Sequence, residues 1–211
     1  MLKYKNYLFD LDGTLTDPGV GIKNSIKYAL DKFGLPCPPD SILNEFIGPP
    51  LLDSFKKYCG ASEDDAKTLL LYYREYFGVK GYLENSLYPD TVPLLEVIRK
   101  EGGKIFLATS KPEFYALKIL DHFGLSVYFD FCAGNDMNEA RASKASVITY
   151  VLKQTGIDPA ESVMVGDRCY DIIGAHTCSL PVAAVLHGYG SKEELKDAEY
   201  ILERFTDLLY I

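Results

Sequence analysis

The sequence predicts an α/β fold: a parallel sheet covered by helices on both faces, with a helical segment inserted near its start. Three observations predict it. Short apolar runs alternate with longer amphipathic stretches, the pattern of strands buried on both faces and separated by crossover helices. The alternation breaks between about Thr16 and Tyr88, where only helical periodicity is visible. Acidic, hydroxyl and glycine residues follow directly on several of the apolar runs, at the strand ends where open sheets of this kind bind ligands.

Tyr7 to Phe9 read as the first strand, followed by strands at Ile105 to Ala108, Tyr128 to Cys132, Val163 to Val165 and Val182 to Leu186. Helical patterns lie between them at about Thr91 to Lys100, Glu113 to Phe123, Ser143 to Gln154, Asp171 to Cys178 and Lys192 to Asp197. The insert carries helical periodicity at Ile22 to Phe33, Leu51 to Tyr58 and Ala66 to Phe77. Pro and Gly punctuate it at Pro18-Gly19, Pro36 to Pro39, Gly48-Pro49-Pro50 and Gly78 to Gly81. The expected domains are therefore a core made of residues 1–15 and 89–211, and a helical domain of residues 16–88.

Bulk properties restrict the function. At 211 residues the chain is long enough for one sizeable core with a smaller insert, and 47% apolar against 25% charged residues is a soluble, self-folding balance. Thirty acidic against 22 basic residues give a net charge of -8, a field that repels nucleic acid and acidic membrane surfaces. Cys37, Cys59, Cys132, Cys169 and Cys178 are scattered, with no C-x-x-C pair, and read as buried thiols of a reducing compartment. The first apolar stretch is broken by Lys3, Lys5 and Asn6, and no stretch approaches the ~20 apolar residues of a membrane span, so the expected location is the cytoplasm.

Four strand ends are chemically loaded. After the first, Asp10 and Asp12 stand at i and i+2 and point the same way from an extended chain. Two adjacent carboxylates are costly unless a cation lies between them or they share a proton, and a hard divalent ion such as magnesium suits oxygen ligands. Ala108-Thr109-Ser110-Lys111-Pro112 closes the second strand with hydroxyls and opens a helix whose free N–H groups would hold phosphate, with Pro112 at its start. Lys144 opens a helix after the third strand, where its ammonium would neutralise phosphate and aspartate together. Gly166-Asp167 ends the fourth strand with a further metal carboxylate, and Asp171 sits four residues on, in the first helical turn.

Each of these has a commoner use alone. D-x-D recurs in surface turns, Gly-Asp serves as a turn and helix cap, and a helical lysine is usually solvated. Their coincidence in chain order at one end of successive strands is what points to chemistry.

In these motifs the sequence resembles the haloacid dehalogenase-like superfamily of phosphohydrolases: DLDGT from Asp10 to Thr14, Thr109 or Ser110 in LATSKP, Lys144, and GD-x-x-x-D from Gly166 to Asp171. Of the two hydroxyls, Ser110 is the preferred counterpart. FIGPPL, SKASVITYVL, VMVGDRCYDIIGA and VLHGYGS are similar to the branch holding phosphoglycolate phosphatases and bacterial 5'-nucleotidase-like phosphatases.

The resemblance implies a Rossmann-like core with a helical cap inserted after the first motif. It also implies a magnesium-dependent phosphatase acting on a small phosphomonoester. Asp10 would be the nucleophile, Asp12 the general acid and base, and Ser110 and Lys144 the groups that offset phosphate charge. Gly13, Thr109, Ser110, Lys111 and Lys144 would bind the phosphate, and Gly48 and Pro49 would face the substrate from the cap. Metal ligands would be Asp10, Asp167 and the main-chain carbonyl of Asp12, with Asp171 acting through an intervening water.

The phosphosugar mutases of the superfamily carry a histidine near the place of Ile22, and dehalogenases lack the second acid, so both are disfavoured. The loop Phe46 to Pro50 would serve equally as a helix–helix connection. Two other readings share the residues: a non-catalytic phosphate or nucleotide sensor, and a phosphotransferase with an acceptor other than water. His122, His176 and His187 are expected to be structural or solvated. The sequence leaves the oligomeric state open.

Overall fold

The computed structural model describes residues 2–136 and 141–211. Two compact units are present, Asp17–Ser86 and the remainder of the chain.

The larger unit is built on a six-stranded sheet. Its strands, in chain order, are β1 (Asn6–Phe9), β4 (Lys104–Pro112), β5 (Phe131–Asn135), β6 (Ser162–Gly166), β7 (Val182–Val185) and β8 (Tyr200–Leu202). They lie in the order β5-β4-β1-β6-β7-β8, with every pair parallel. Parallel neighbours need crossovers, supplied by helices α5 (Thr91–Lys100), α6 (Glu113–His122), α7 (Lys144–Thr155) and α8 (Cys169–Thr177). Because helices cover both faces, β1, β6 and β7 are buried at every residue, which is why they read as unbroken apolar runs.

The topology fixes the place of the crevice. From β1 the chain proceeds outward through β4 and β5, then returns to β6 on the other flank of β1 and moves the opposite way. Strand order thus reverses beside β1, with Phe9 opposite Leu107 on one side and Val165 on the other. Asp10 and Asp167 are the first residues past those two strand ends.

The helical unit contains α1 (Gly19–Phe33), α2 (Asp40–Asn44), α3 (Leu51–Cys59) and α4 (Glu63–Phe77). Ser62 caps α4 by accepting the Asp65 N–H, and acidic residues fill its first turn. Ile26, Leu30, Phe55, Leu69 and Phe77 make its core. Where the chain enters and leaves this unit, the two-residue strands β2 (Thr16–Asp17) and β3 (Ser86–Leu87) pair with each other.

Several expected elements need correction. Lys192 to Asp197 is a run of turns rather than a helix. Ser126–Tyr128 forms a short 3-10 turn, so the third core strand starts at Phe131. Strand β4 continues past Ala108 to Pro112, with an irregular register over its last residues. Pro112 is consequently the extended residue capping α6 rather than part of its first turn, and the Thr109–Ser110 hydroxyls stand on extended chain. The strand β8 and the single-turn α2 were absent from the expectation; both are too short to carry a periodic signal.

Candidate active site

Two carboxylates emerge from β1 and are fixed differently. The Asp10 N–H continues the ladder by donating to the Val165 carbonyl (2.9 Å). Its Oδ1 accepts the Leu11 N–H (2.8 Å), and its Oδ2 pairs with Lys144 Nζ (2.9 Å). A tight turn follows, in which the Leu11 carbonyl accepts from Thr14, Leu15 and Thr16. Gly13 makes that turn possible with φ +82°, and a Cβ there would stand 2.2 Å from Asp167 Oδ2. Within the turn, Asp12 Oδ2 pairs with Lys111 Nζ at 2.6 Å, while Oδ1 is buried with no hydrogen-bond partner among the described residues.

Lys144 is the hub. It opens α7 behind a reciprocal cap in which Ser143 accepts the Ser146 N–H and Ser146 Oγ accepts the Ser143 N–H. Its ammonium is buried, donates to the Ala108 carbonyl (3.0 Å) and forms ion pairs with Asp10 Oδ2 and Asp171 Oδ1 (2.8 Å). Burial alone would depress its pKa, but Asp10 and Asp171 more than offset that and hold it above the ordinary value.

Asp171 is fully enclosed. Its Oδ2 accepts the N–H groups of Asp167 (3.2 Å) and Arg168 (3.0 Å), capping α8 from its first turn. Gly166 leaves room for it, since a Cβ there would lie 2.2 Å from its carboxyl carbon. Burial pushes the Asp171 pKa up to about 6, against the pull of Lys144. Asp167 is likewise enclosed, accepting the Thr14 hydroxyl on Oδ1 (3.2 Å) and the Tyr189 N–H on Oδ2 (2.8 Å). Burial raises its pKa well above the usual carboxylate range, with Asp171 and Asp10 adding to the effect.

Asp10, Asp167 and Asp171 each offer a carboxylate oxygen, and these lie within 4.8 Å of one another. Counting Asp12, four carboxylates face two ammoniums, Lys111 and Lys144, a formal excess of two negative charges when all four are ionised, which is why burial and mutual repulsion raise the pKa values of Asp12, Asp167 and Asp171. An all-oxygen donor set with that excess, in a buried setting, fits a hard divalent cation.

The other predicted residues fall as follows. The Thr109 side chain is buried, and its Oγ1 accepts the Lys111 N–H (3.2 Å); Ser110 is half-buried beside it. Lys111, expected on phosphate, has its ammonium on Asp12. Gly48 and Pro49 lie in the helical unit, in the loop between α2 and α3. In that loop Phe46 and Ile47 are buried, with the Phe46 ring 5.5 Å from that of Phe55. Phe46 is thus part of that unit's core.

The sequence points to the loop after β7 only through the resemblance of VLHGYGS, with His187 expected to be structural or solvated, and assigns its glycines no role beside Asp167. There His187 Nε2 donates to the Thr14 carbonyl (3.0 Å), and its ring rests against Tyr88 and Phe205. Gly188 and Gly190 bring the backbone onto Asp167: Cβ atoms would lie 2.3 Å from its Cβ and 2.0 Å from its carbonyl oxygen, respectively. The glycine pair flanking Tyr189 was the available signal, since it marks backbone passing close to another group.

Comparison with known proteins gives the family and the fold. The model of the haloacid dehalogenase-like hydrolase family matches residues 7–185. A 5'-nucleotidase of Pseudomonas aeruginosa is 38% identical over 195 residues, 92% of this chain and 88% of that protein. The tyrosine-protein kinase PtkA of Mycobacterium tuberculosis is 37% identical over 184 residues, 87% of this chain but 62% of that protein. A crystal structure described as "a predicted phosphatase" from Clostridium acetobutylicum superposes with a TM-score of 0.93 at 42% identity, covering 100% of this chain and 98% of that one.

Proposed function

This chain belongs to the haloacid dehalogenase-like hydrolase family and is a phosphatase of it, and from that premise we propose that it works with magnesium, through a phospho-aspartate on Asp10. The observation that carries the reading is the placement of Asp10. It stands at the carboxyl end of the central strand, clamped by Leu11 N–H and Lys144, and clustered with two further acids.

An Asp10 carboxylate oxygen attacks phosphorus, and the bond to the ester oxygen breaks as the new one forms. Asp12 supplies the proton that the departing oxygen needs. Burial raises the Asp12 pKa, Asp10 adds to the rise, and Lys111 opposes it, which suits a group that both gives and takes a proton. Asp12 then takes a proton from the water that attacks the phospho-aspartate, and Asp10 is regenerated. Ser110 and Thr109 hold the non-bridging oxygens, the Lys144 ammonium beside Asp10 offsets their charge, and Gly13 leaves room for the Asp167 carboxylate next to them. Asp10, Asp167 and the Asp12 carbonyl would hold magnesium, with Asp171 acting through a water, and the ion would supply positive charge that lets a carboxylate approach a phosphate dianion.

A nucleoside 5'-monophosphate is the favoured substrate class because the Pseudomonas relative is named a 5'-nucleotidase. Phosphoglycolate is the alternative. A phosphate-release screen over nucleoside monophosphates, phosphoglycolate, sugar phosphates and pyrophosphate, with and without magnesium, tests this. Magnesium-dependent release that Asp10→Asn abolishes is expected; release persisting in Asp10→Asn rules the scheme out.

The likeness to PtkA favours a second reading, in which the phospho-aspartate passes its phosphoryl group to a tyrosine hydroxyl instead of water. Acid-stable phosphotyrosine appearing at the expense of free phosphate would distinguish it.

A further inference from the structure

Outside this site, the helical unit holds a second reactive group. Leu35, Pro36, Cys37, Pro38, Tyr58 and Cys59 line one cavity of about 210 Å³. The two cysteines come from unrelated elements: Cys37 from the segment between α1 and α2, Cys59 from the last residue of α3. Pro36, Pro38 and Pro39 stiffen the chain around Cys37, so the fold holds its sulfur at the cavity with little conformational freedom left to lose. On the other side, Gly60 takes φ +66° and turns the chain away directly after Cys59.

We infer that Cys37 and Cys59 form a dithiol that closes to an intrachain disulfide on reaction with a small-molecule disulfide, a modification site separate from the phosphatase centre. Contrary to the expectation of buried thiols, Cys37 is exposed, and it is the first to react; Cys59 is only partly accessible and resolves. The Cys37 thiolate attacks the small disulfide, forming a mixed disulfide and releasing one small thiol. The Cys59 thiolate then attacks the Cys37 sulfur, forming the Cys37–Cys59 bond and releasing the second small thiol. Two protein thiols are oxidised, one small disulfide is reduced to two thiols, and the two protons leave on those thiols.

The Cys37 thiol donates to the Pro38 carbonyl (3.4 Å), and the two thiols lie near enough for one to influence the other's ionisation. Burial, and then the neighbouring charge of Cys37, raise the pKa of the Cys59 thiol. Capture of Cys37 as a mixed disulfide removes that second cause, easing ionisation of Cys59 when it must attack.

The remaining cysteines lack such a partner arrangement. Burial pushes Cys132 up to about 12, and the Cys178 sulfur is engaged with Thr149 and the Ala145 carbonyl (3.5 Å). Cys169 sits on α8, where burial and Glu194 raise its pKa. The ring closed between Cys37 and Cys59 would contain α2 and the Phe46–Pro50 loop.

The test is to equilibrate the full chain, natively folded, with mixtures of reduced and oxidised glutathione, quench with acid, alkylate and map the peptides by mass spectrometry. Loss of two of the five thiols, with a linked Cys37–Cys59 peptide that dithiothreitol reverses, is the expected result. In Cys59→Ser, a glutathione adduct should instead accumulate on Cys37. A wild-type protein whose Cys37 keeps glutathione without cross-linking, or whose bridge involves Cys132, Cys169 or Cys178, overturns the inference. Neither outcome depends on phosphatase activity.

Discussion

At the scale of single residues, the site separates two chemically identical side chains by their partners. Asp10 is fixed by a main-chain N–H and a buried ammonium, the restraint that the proposed nucleophile needs. Asp12 keeps one oxygen on Lys111 and the other buried without a hydrogen bond. An unpaired buried acceptor is costly, and protonation or a donor on an incoming ligand relieves the cost. Asp12→Asn should therefore preserve substrate binding while lowering kcat by about 10²- to 10⁴-fold, measured by steady-state phosphate release; an unchanged kcat would remove Asp12 from proton transfer.

His187 gives a second prediction at this scale. Burial lowers its pKa, against the Thr14 carbonyl and Asp90, so the unfolded chain binds its proton more tightly. Stability from this residue is thus full above the unfolded value of roughly 6.5 and is lost as pH falls toward the folded pKa. The raised acids Asp12, Asp167 and Asp171 act with the opposite sign, because protonation favours their folded state. The informative quantity is accordingly the difference between wild type and His187→Gln. Denaturant unfolding between about pH 7.5 and 5 should show the wild type losing more stability on acidification than the variant; parallel curves would contradict a buried neutral imidazole.

At the scale of elements, the loops, rather than the strands, bring the charges together. The turn after β1 and the loop after β7 close around Asp167 from two directions, and each depends on glycine where the backbones meet. Gly188→Ala puts a Cβ 2.4 Å from both Asp167 Oδ2 and the Gly13 carbonyl. The expected outcome is a loss of about 1–3 kcal/mol in stability, read by chemical denaturation, together with impaired activity as Asp167 is displaced. A variant with wild-type stability and turnover would show that this packing is dispensable.

The same scale shows what was legible in the sequence. The strands β1, β6 and β7, buried on both faces, carry uninterrupted apolar runs, so their places and the polar residues following them could be read directly. Asp10, Asp167, Asp171 and Lys144 were found because each stands at, or one turn beyond, a periodic element. His187, Gly188, Tyr189 and Gly190 were not, because they act through backbone approach in an irregular loop that has no period. The run Lys192 to Asp197 shows the converse failure: helical composition over a stretch too short to sustain a helix, which folds as turns with Leu195 buried in the core. Lys111 was assigned to phosphate because lysine beside a hydroxyl pair suggests an anion, and only the three-dimensional proximity of Asp12 reveals its partner.

At the scale of the whole molecule, an acidic protein of net charge -8 concentrates still more negative charge at one sheet edge, while fixing two lysines there. Strand order explains how this is sustained. The reversal beside β1 opens a crevice where side chains from β1, β4, α7 and β6–α8 meet, while the sheet below is a dry apolar core that holds their backbones in place. Folding free energy from that core offsets the repulsion of the clustered acids.

The central claim is that phosphate passes through Asp10, and rapid quenching of turnover tests it most directly. Magnesium-loaded protein is mixed with the best substrate of the screen, stopped within one turnover, reduced with borohydride and mapped by mass spectrometry. The account predicts modification confined to Asp10, and absent from Asp10→Asn. Turnover in which phosphate reaches water with Asp10 unmodified, or with the label on another residue, would contradict it.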